Sequence, residues 1–218
     1  MKRRRSIHLF LVFFLCLVKP LSAKENIPRL FINEFMASNT NTVLSLNYNE
    51  YSDWIEIHNA EDTTVFIGAY YLTDDLDDPY KWQIPEGTRI SPGKRALFWA
   101  DSYDEGKHTN FKLSAEGEEI GFFTSEGVLV DSVSFFKQRS DISFGRSPNG
   151  SENWYYFDQA TPGTKNDQVG YFDVLPAPIF LNRGGIYNGS ANVEFDDYNP
   201  FVTIRYTLDG SIPTSTSS

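Results

Sequence analysis

The stretch Asp53-Trp54-Ile55-Glu56-Ile57-His58-Asn59 alternates between apolar and polar residues, and it decides the fold class. Successive side chains of a β-strand point to opposite faces, so Ile55 and Ile57 share one face. The opposite face carries Trp54, Glu56 and His58. The pattern predicts a strand whose isoleucine face lies in the core and whose other face meets solvent or a second layer. We expect His58 to point outward.

Similar short runs recur along the chain and are separated by turn residues. The runs predicted as strands are 30–36, 64–67, 70–73, 81–84, 95–100, 119–124, 128–136, 142–145 and 153–157. Ser125-Glu126-Gly127 joins two of them, 119–124 and 128–136, in a predicted hairpin. No stretch after residue 23 keeps helical periodicity over three turns. Short strands with polar turns predict an all-β protein built as an antiparallel β-sandwich.

The first 23 residues have the organisation of a secretory signal peptide. Met1-Lys2-Arg3-Arg4-Arg5 is basic, residues 7–18 are apolar, and Leu21-Ser22-Ala23 precedes a cleavage site that we place after Ala23. The apolar run of about 12 residues is shorter than the roughly 20 that a membrane-spanning helix needs. We therefore predict a secreted or cell-surface protein with no transmembrane segment in its mature chain.

The composition after residue 23 restricts the partners. The single cysteine, Cys16, lies in the predicted signal peptide, so the mature chain has no disulfide and no cysteine-bound metal. Five of the 19 basic residues lie there too, so 14 remain against 29 acidic residues and the formal charge becomes −15. Proteins bind nucleic acid by neutralising its phosphates with Lys and Arg side chains. The negative charge of this chain therefore disfavours a nucleic-acid partner. The partners that this charge still allows are cations, neutral glycans and other proteins.

Two acidic loops contain residue types that bind metals. Ca²⁺ takes six to eight oxygen ligands, and a loop with four carboxylates in five residues offers several of them. These carboxylates belong to Asp74, Asp75, Asp77 and Asp78. The spacing is not that of an EF-hand, so a solvated acidic turn is the alternative to a calcium site. Residues 101–108 contain Asp, Glu and His, but such loops are common without a metal. No other cofactor is suggested.

The sequence contains none of the common catalytic motifs. G-x-S-x-G, H-E-x-x-H and a Gly-rich phosphate loop are all absent, and His58 and His108 lie in no recognisable motif. Glu34, Asp53 and Glu56 could supply the two acids that glycoside cleavage requires at a set separation. We favour a structural role for these three residues and predict that the chain is not an enzyme.

Aromatic residues make up 16% of the chain, enough to fill a core without disulfides or to build a stacking platform for sugar rings. We assign most of the tryptophans, at positions 54, 82, 99 and 154, to the core. The tyrosines are the better candidates for an exposed glycan site, and they are Tyr70, Tyr80, Tyr155 and Tyr156.

Several motifs follow one another in a fixed order between residues 29 and 166. They are Ile32-Asn33-Glu34-Phe35-Met36-Ala37-Ser38-Asn39, the stretch 53–59, Tyr71-Leu72-Thr73-Asp74, Lys81-Trp82-Gln83-Ile84-Pro85, Ser91-Pro92-Gly93, Ser143-Phe144-Gly145-Arg146 and Thr161-Pro162-Gly163. In these motifs the chain resembles the lamin tail domain family. The resemblance implies an immunoglobulin-like β-sandwich without enzymatic activity. Because a signal peptide precedes it and coiled-coil heptads are absent, the chain resembles the secreted bacterial branch.

A composition shift after Phe157 predicts a domain boundary, since residues 159–167 have no periodic apolar pattern. Residues 171–218 resemble the first part of the small sandwich at the end of chitobiases, through Gly185-Ile186-Tyr187 and residues 204–214. A strand is predicted over 202–208. The expected domains are a signal peptide at 1–23, a lamin-tail-like sandwich at 24–166 and an incomplete chitobiase C-terminal-like β module at 167–218.

These features favour a noncatalytic interaction or positioning module of a secreted or cell-surface bacterial protein, with a protein or a glycan as partner. Two alternatives stay open. The chain could be the accessory N-terminal region of a larger extracellular enzyme, carbohydrate-active or kinase-like. It could also be a calcium-dependent adhesin that uses the loop at 74–78.

Overall fold

The computed structural model describes residues 27–175, 178–196 and 202–217, and it confirms the all-β prediction. The predicted signal peptide lies outside these residues. Within them the chain forms strands and no helix. The strands are β1 (Leu30–Met36), β2 (Asp53–Asn59), β3 (Val65–Phe66), β4 (Tyr71–Thr73), β5 (Trp82–Gln83), β6 (Arg89–Ile90), β7 (Arg95–Ala100), β8 (Gly117–Phe123), β9 (Leu129–Phe136), β10 (Ser143–Arg146) and β11 (Trp154–Phe157).

Two antiparallel sheets form the sandwich. The larger sheet has the strand order β11-β10-β1-β2-β7, and the smaller has the order β5-β4-β8-β9. Strands β3 and β6 pair separately in a two-stranded ribbon. Ile55 and Ile57 of β2 pack with Ile120 and Phe122 of β8 in one core cluster, and all four are fully buried. Each such side chain contributes about 1.5–3 kcal/mol through its burial.

A β-bulge in β1 changes which residues face the core. Ile32 pairs with Ile57 and Glu34 with Glu56, so Asn33 is the extra residue on β1. Simple alternation would send Glu34 into the core. The bulge instead moves Glu34 to the outer face of the five-stranded sheet and returns Phe35 to the core cluster.

One buried ion pair connects the two sheets. Asp131 of β9 accepts a hydrogen bond from the backbone N–H of Ile32 in β1 at 2.8 Å. The same carboxylate receives two hydrogen bonds of 3.0 Å from the Nη2 atom of Arg146 in β10. Arg146 also donates from Nε to the carbonyl oxygen of Ile32 at 2.9 Å, and its guanidinium stacks over Trp154. Asp131 breaks the apolar alternation of β9 for this reason.

Most of the predicted strands are confirmed within one or two residues, and the hairpin is confirmed as β8 and β9. Strand β6 was missed because it is only two residues long and lies between two turns. His58 lies on the outer face of β2, as predicted, but it is buried there and does not meet solvent. Its residue is 7% exposed, and its Nδ1 atom lies 3.2 Å from the carbonyl oxygen of Lys94. The outer face of β2 is buried under a second layer.

Beyond residue 171 the described chain has little regular structure. Phe180 and Phe195 form an isolated antiparallel bridge, and their rings are 4.8 Å apart. The strand predicted over 202–208 does not form, because no neighbouring segment among the described residues pairs with it. The assignment of 167–218 to a second sandwich module stays a prediction.

We predict that Asp131→Ala lowers the free energy of unfolding of residues 24–218 by about 3 kcal/mol. Removing one partner of a buried ion pair leaves the other charge without compensation. Here the guanidinium of Arg146 would lose its carboxylate partner. Urea denaturation measures the change. The control is Asp77→Ala on an exposed turn, which should change the free energy by less than about 0.5 kcal/mol. Equal effects of the two substitutions would contradict this role for Asp131.

Candidate functional site

The outer face of the five-stranded sheet buries a pair of carboxylates. Glu34 of β1 and Glu56 of β2 are direct cross-strand partners, and both residues are completely buried. A buried carboxylate is stable only when it is hydrogen-bonded or paired with a positive charge. The partners of these two come from four separate parts of the chain.

Glu34 is bonded to β10 and to the segment after β11. Its Oε1 atom accepts hydrogen bonds from the Ser143 hydroxyl at 2.6 Å and from the Thr161 backbone N–H at 3.0 Å. Its Oε2 atom accepts from the Thr161 hydroxyl at 2.8 Å. Thr161-Pro162-Gly163, one of the motifs quoted from the sequence, therefore lies against the sheet. We call residues 158–167 the closing loop.

Glu56 is held by the same loop and by two other strands. Its Oε2 atom accepts a 2.5 Å hydrogen bond from the Gly163 backbone N–H. Its Oε1 atom accepts from the Asn33 side chain at 3.0 Å and forms an ion pair of 3.4 Å with Nε of Arg95. Every oxygen of both carboxylates thus has a partner within the protein.

Asn166 locks the end of the closing loop onto the sheet. Its side-chain amide donates to the carbonyl oxygens of Arg146 at 2.9 Å and Asn33 at 3.2 Å. The fit also depends on Gly145, because a Cβ atom there would lie 2.8 Å from Asn166 Nδ2 and 2.9 Å from Cγ of Glu34. The sequence motif Ser143-Phe144-Gly145-Arg146 therefore serves this network and the Asp131 ion pair.

The environment of the pair raises both pKa values. Burial is the main cause in each case, and it raises the pKa of Glu56 from 4.5 to about 7. The pKa of Glu34 is raised in the same direction. Raised pKa values also occur in glycoside hydrolases, but those acids contact substrate. Here the closing loop covers both acids and their oxygens bond to it, so the geometry supports the structural role.

The third acid of that set, Asp53, lies elsewhere, at an open end of the same sheet. There, where β2 begins and β7 ends, a cleft of about 320 Å³ is bordered by two loops. Its lining residues are Glu50, Tyr51, Ser52, Asp53, Ala100, Asp101, Ser102, Tyr103 and Lys112. We call this the end cleft. Burial raises the pKa of Asp53 to about 6.

Hydrogen bonds hold both loops of the end cleft in place. In the loop 38–52, the Asn39 N–H donates to Oδ1 of Asp53 at 2.8 Å, and the Asn39 amide donates to the carbonyl oxygen of Ser52 at 2.8 Å. The two loops meet where the ring of Tyr48 stacks on Tyr103, with centroids 3.8 Å apart and planes 13° apart. The cleft is therefore largely preformed.

His108 supports the second loop, residues 101–112, from inside. It is 1% exposed, its Nδ1 atom lies 2.6 Å from Oδ2 of Asp101, and its Nε2 atom lies 3.2 Å from the amide nitrogen of Asn47. Both ring nitrogens of His108 therefore have a partner within the protein. Residues 101–108 contain residue types that bind divalent metals. Within the described residues, no group of three or more His, Cys, Asp or Glu side chains could hold one.

The acidic loop after β4 is folded as a turn. Asp74 forms a 2.5 Å ion pair with Lys81, and the Asp77 N–H donates to the Asp75 side chain at 3.0 Å. Asp78 is exposed, and its N–H donates to the carbonyl oxygen of Asp75 at 3.0 Å. Among the described residues no three such carboxylates form a group that could hold a metal ion, and the calcium site stays a prediction.

The aromatic residues divide between core and surface. Trp54 and Trp82 are buried, whereas Trp99 and Trp154 are partly buried. Among the predicted glycan candidates only Tyr80, at 51%, is largely exposed. Sequence reasoning missed Tyr51 and Tyr103 in the end cleft. The closely spaced tyrosines at 48 and 51, next to Asp53, were the available signal.

The fold is that of an immunoglobulin-like β-sandwich. The family model described as Lamin Tail Domain matches residues 23–137, more than half of the chain. The chain belongs to the lamin tail domain family. No curated protein matches it.

The match to the family model ends before β10 and the closing loop, which complete the carboxylate network. No helix in the described part of the chain has the length and apolarity to cross a membrane.

We predict that Glu56→Gln changes the pH dependence of stability. A folded-state pKa of about 7 against 4.5 means that the folded protein binds a proton more tightly than the unfolded chain. Wild-type stability from this group is therefore present below pH 4.5 and is lost as the pH rises to 7. The Gln side chain does not titrate, so the variant does not lose this stability as the pH rises. Between pH 4.5 and 8, the free energy of unfolding of the variant should therefore rise by about 1–3 kcal/mol relative to that of the wild type.

Urea denaturation at a series of pH values measures this difference. Glu86→Gln, on an exposed turn, is the matched control and should keep the wild-type pH profile. Parallel pH profiles for wild type and Glu56→Gln would refute the assignment.

Calorimetric titration with CaCl₂ decides the calcium prediction. A site at 74–78 gives heat and raises the melting temperature of the wild type, because a ligand that binds only the folded state stabilises it. Asp77→Asn, which removes one carboxylate, should then lose both effects. No heat and no rise in melting temperature for the wild type would remove the adhesin alternative.

Proposed function

We propose that the chain is exported by its first 23 residues and acts outside the cell as a noncatalytic interaction or positioning module. The observation that carries the proposal is the contrast between the outer face of the five-stranded sheet and its open end. The buried acids Glu34 and Glu56 are committed to the closing loop, whereas the end cleft presents polar and aromatic side chains to solvent. Membership of the lamin tail domain family supports the same reading.

The place of this module is in a secreted or cell-surface bacterial protein. The support is the basic and apolar leader and the acidic charge that remains after its removal. The chitobiase-like motif at residues 204–214 favours, as the second candidate, a position beside a catalytic domain in a larger extracellular enzyme. In both cases the sandwich binds or positions and does not itself catalyse.

We predict that expression of residues 1–218 in a bacterial host yields an exported product that begins at Lys24. The basic n-region and the apolar run direct export, and the small residue Ala23 precedes the cut. Cell fractionation and mass spectrometry of the product measure this, with residues 24–218 alone as the control that stays in the cytoplasm. An uncleaved product that starts at Met1 and stays in the cytoplasm would sink the proposal.

A further inference from the structure

We propose that the end cleft binds a neutral saccharide, one or two sugar units of a glycan. This inference rests on the proposed function and names the partner of that interaction module. Ligand sites in proteins have volumes of about 300–1,000 Å³, and the cleft, at about 320 Å³, lies at the small end of that range. A ligand of one or two rings matches this size.

The polar lining favours a ligand that both donates and accepts hydrogen bonds. Asp53 uses Oδ1 to accept from Asn39, and its Oδ2 atom has no hydrogen bond within the described residues. Lys112 is exposed and has no ion pair in the same part of the chain, so its ammonium is available as a donor. Ser102 adds a hydroxyl, which can do either. A sugar hydroxyl both donates and accepts hydrogen bonds, and these three side chains offer it both an acceptor and a donor.

The same residues argue against the other classes of ligand. An anionic ligand such as a phosphate would meet the carboxylates of Glu50, Asp53 and Asp101. An organic cation would be attracted by them but would meet the ammonium of Lys112. A metal ion needs several converging ligands, and the described residues contain no such group. A neutral polyol carries no charge that either sign repels.

Two tyrosines supply the apolar surface that sugar rings need. Tyr51 and Tyr103 are 43% and 41% exposed, and both line the cleft. Tyr103 is fixed on two sides, since its ring stacks on Tyr48 and its hydroxyl donates to Glu50 at 2.9 Å. A ring held in this way binds without a large loss of side-chain entropy.

The test uses the mature chain, residues 24–218, against an array of neutral oligosaccharides of glucose, galactose, mannose and N-acetylglucosamine. Calorimetry then measures the affinity of the best binder. We expect binding that persists in EDTA, that falls at least tenfold in Tyr103→Ala, and that is unchanged in Tyr80→Ala, a somewhat more exposed tyrosine outside the cleft. Lys112→Ala, at an exposed position, should weaken binding severalfold without affecting folding.

Three results would overturn the inference. They are no binding to any neutral oligosaccharide, binding that both cleft variants leave intact, and binding that EDTA abolishes. The proposed function fails separately, through the export experiment. A mature chain that is exported but binds no sugar would keep its role as an interaction module and lose this partner.

Discussion

The burial of two carboxylates side by side on one sheet is the constraint on which the rest of the structure depends. Glu34 and Glu56 are cross-strand neighbours with no exposure to water. A buried charge left without partners costs several kcal/mol, so the sheet requires donors at fixed positions. The closing loop supplies three of them, from the Thr161 N–H, the Thr161 hydroxyl and the Gly163 N–H.

Several features that look unrelated in the sequence follow from this requirement. The bulge at Asn33 turns Glu34 away from the core and brings the Asn33 amide to Glu56. Gly145 leaves the space that Glu34 and Asn166 fill. The motifs therefore describe one hydrogen-bond network that ties the strands to the segment after β11. The network also explains why Glu34 and Glu56 are buried, although acidic residues on a strand usually face solvent.

The closing loop covers one part of the five-stranded sheet and does not reach another. It covers the carboxylate pair, whereas the start of β2 and the end of β7 border the end cleft. Hydrogen bonds from Asn39 and His108 keep the loops of this cleft ordered. The sheet thus carries a sealed polar core on its outer face and an accessible polar cleft at its end. A structural role fits the sealed polar core, and an interaction role fits the end cleft.

The sequence predicted the sandwich well, because alternation reports which face of a strand is buried. It located β1, β2, β7 and the β8–β9 hairpin to within a residue or two. It could not predict the partners of Glu34, since Thr161 is 127 residues away and periodicity carries no information about distant side chains. The burial of His58 and the end cleft were missed for the same reason. Both depend on loops that fold back onto the sheet.

The most direct test of the account is amide hydrogen exchange of the closing loop, followed by NMR. If the buried carboxylates hold this loop, the amides of Thr161 and Gly163 should exchange as slowly as those of β1 and β2, because both donate to Glu34 or Glu56. Exchange at the rate of an unstructured peptide, with β1 and β2 still protected, would contradict the central claim.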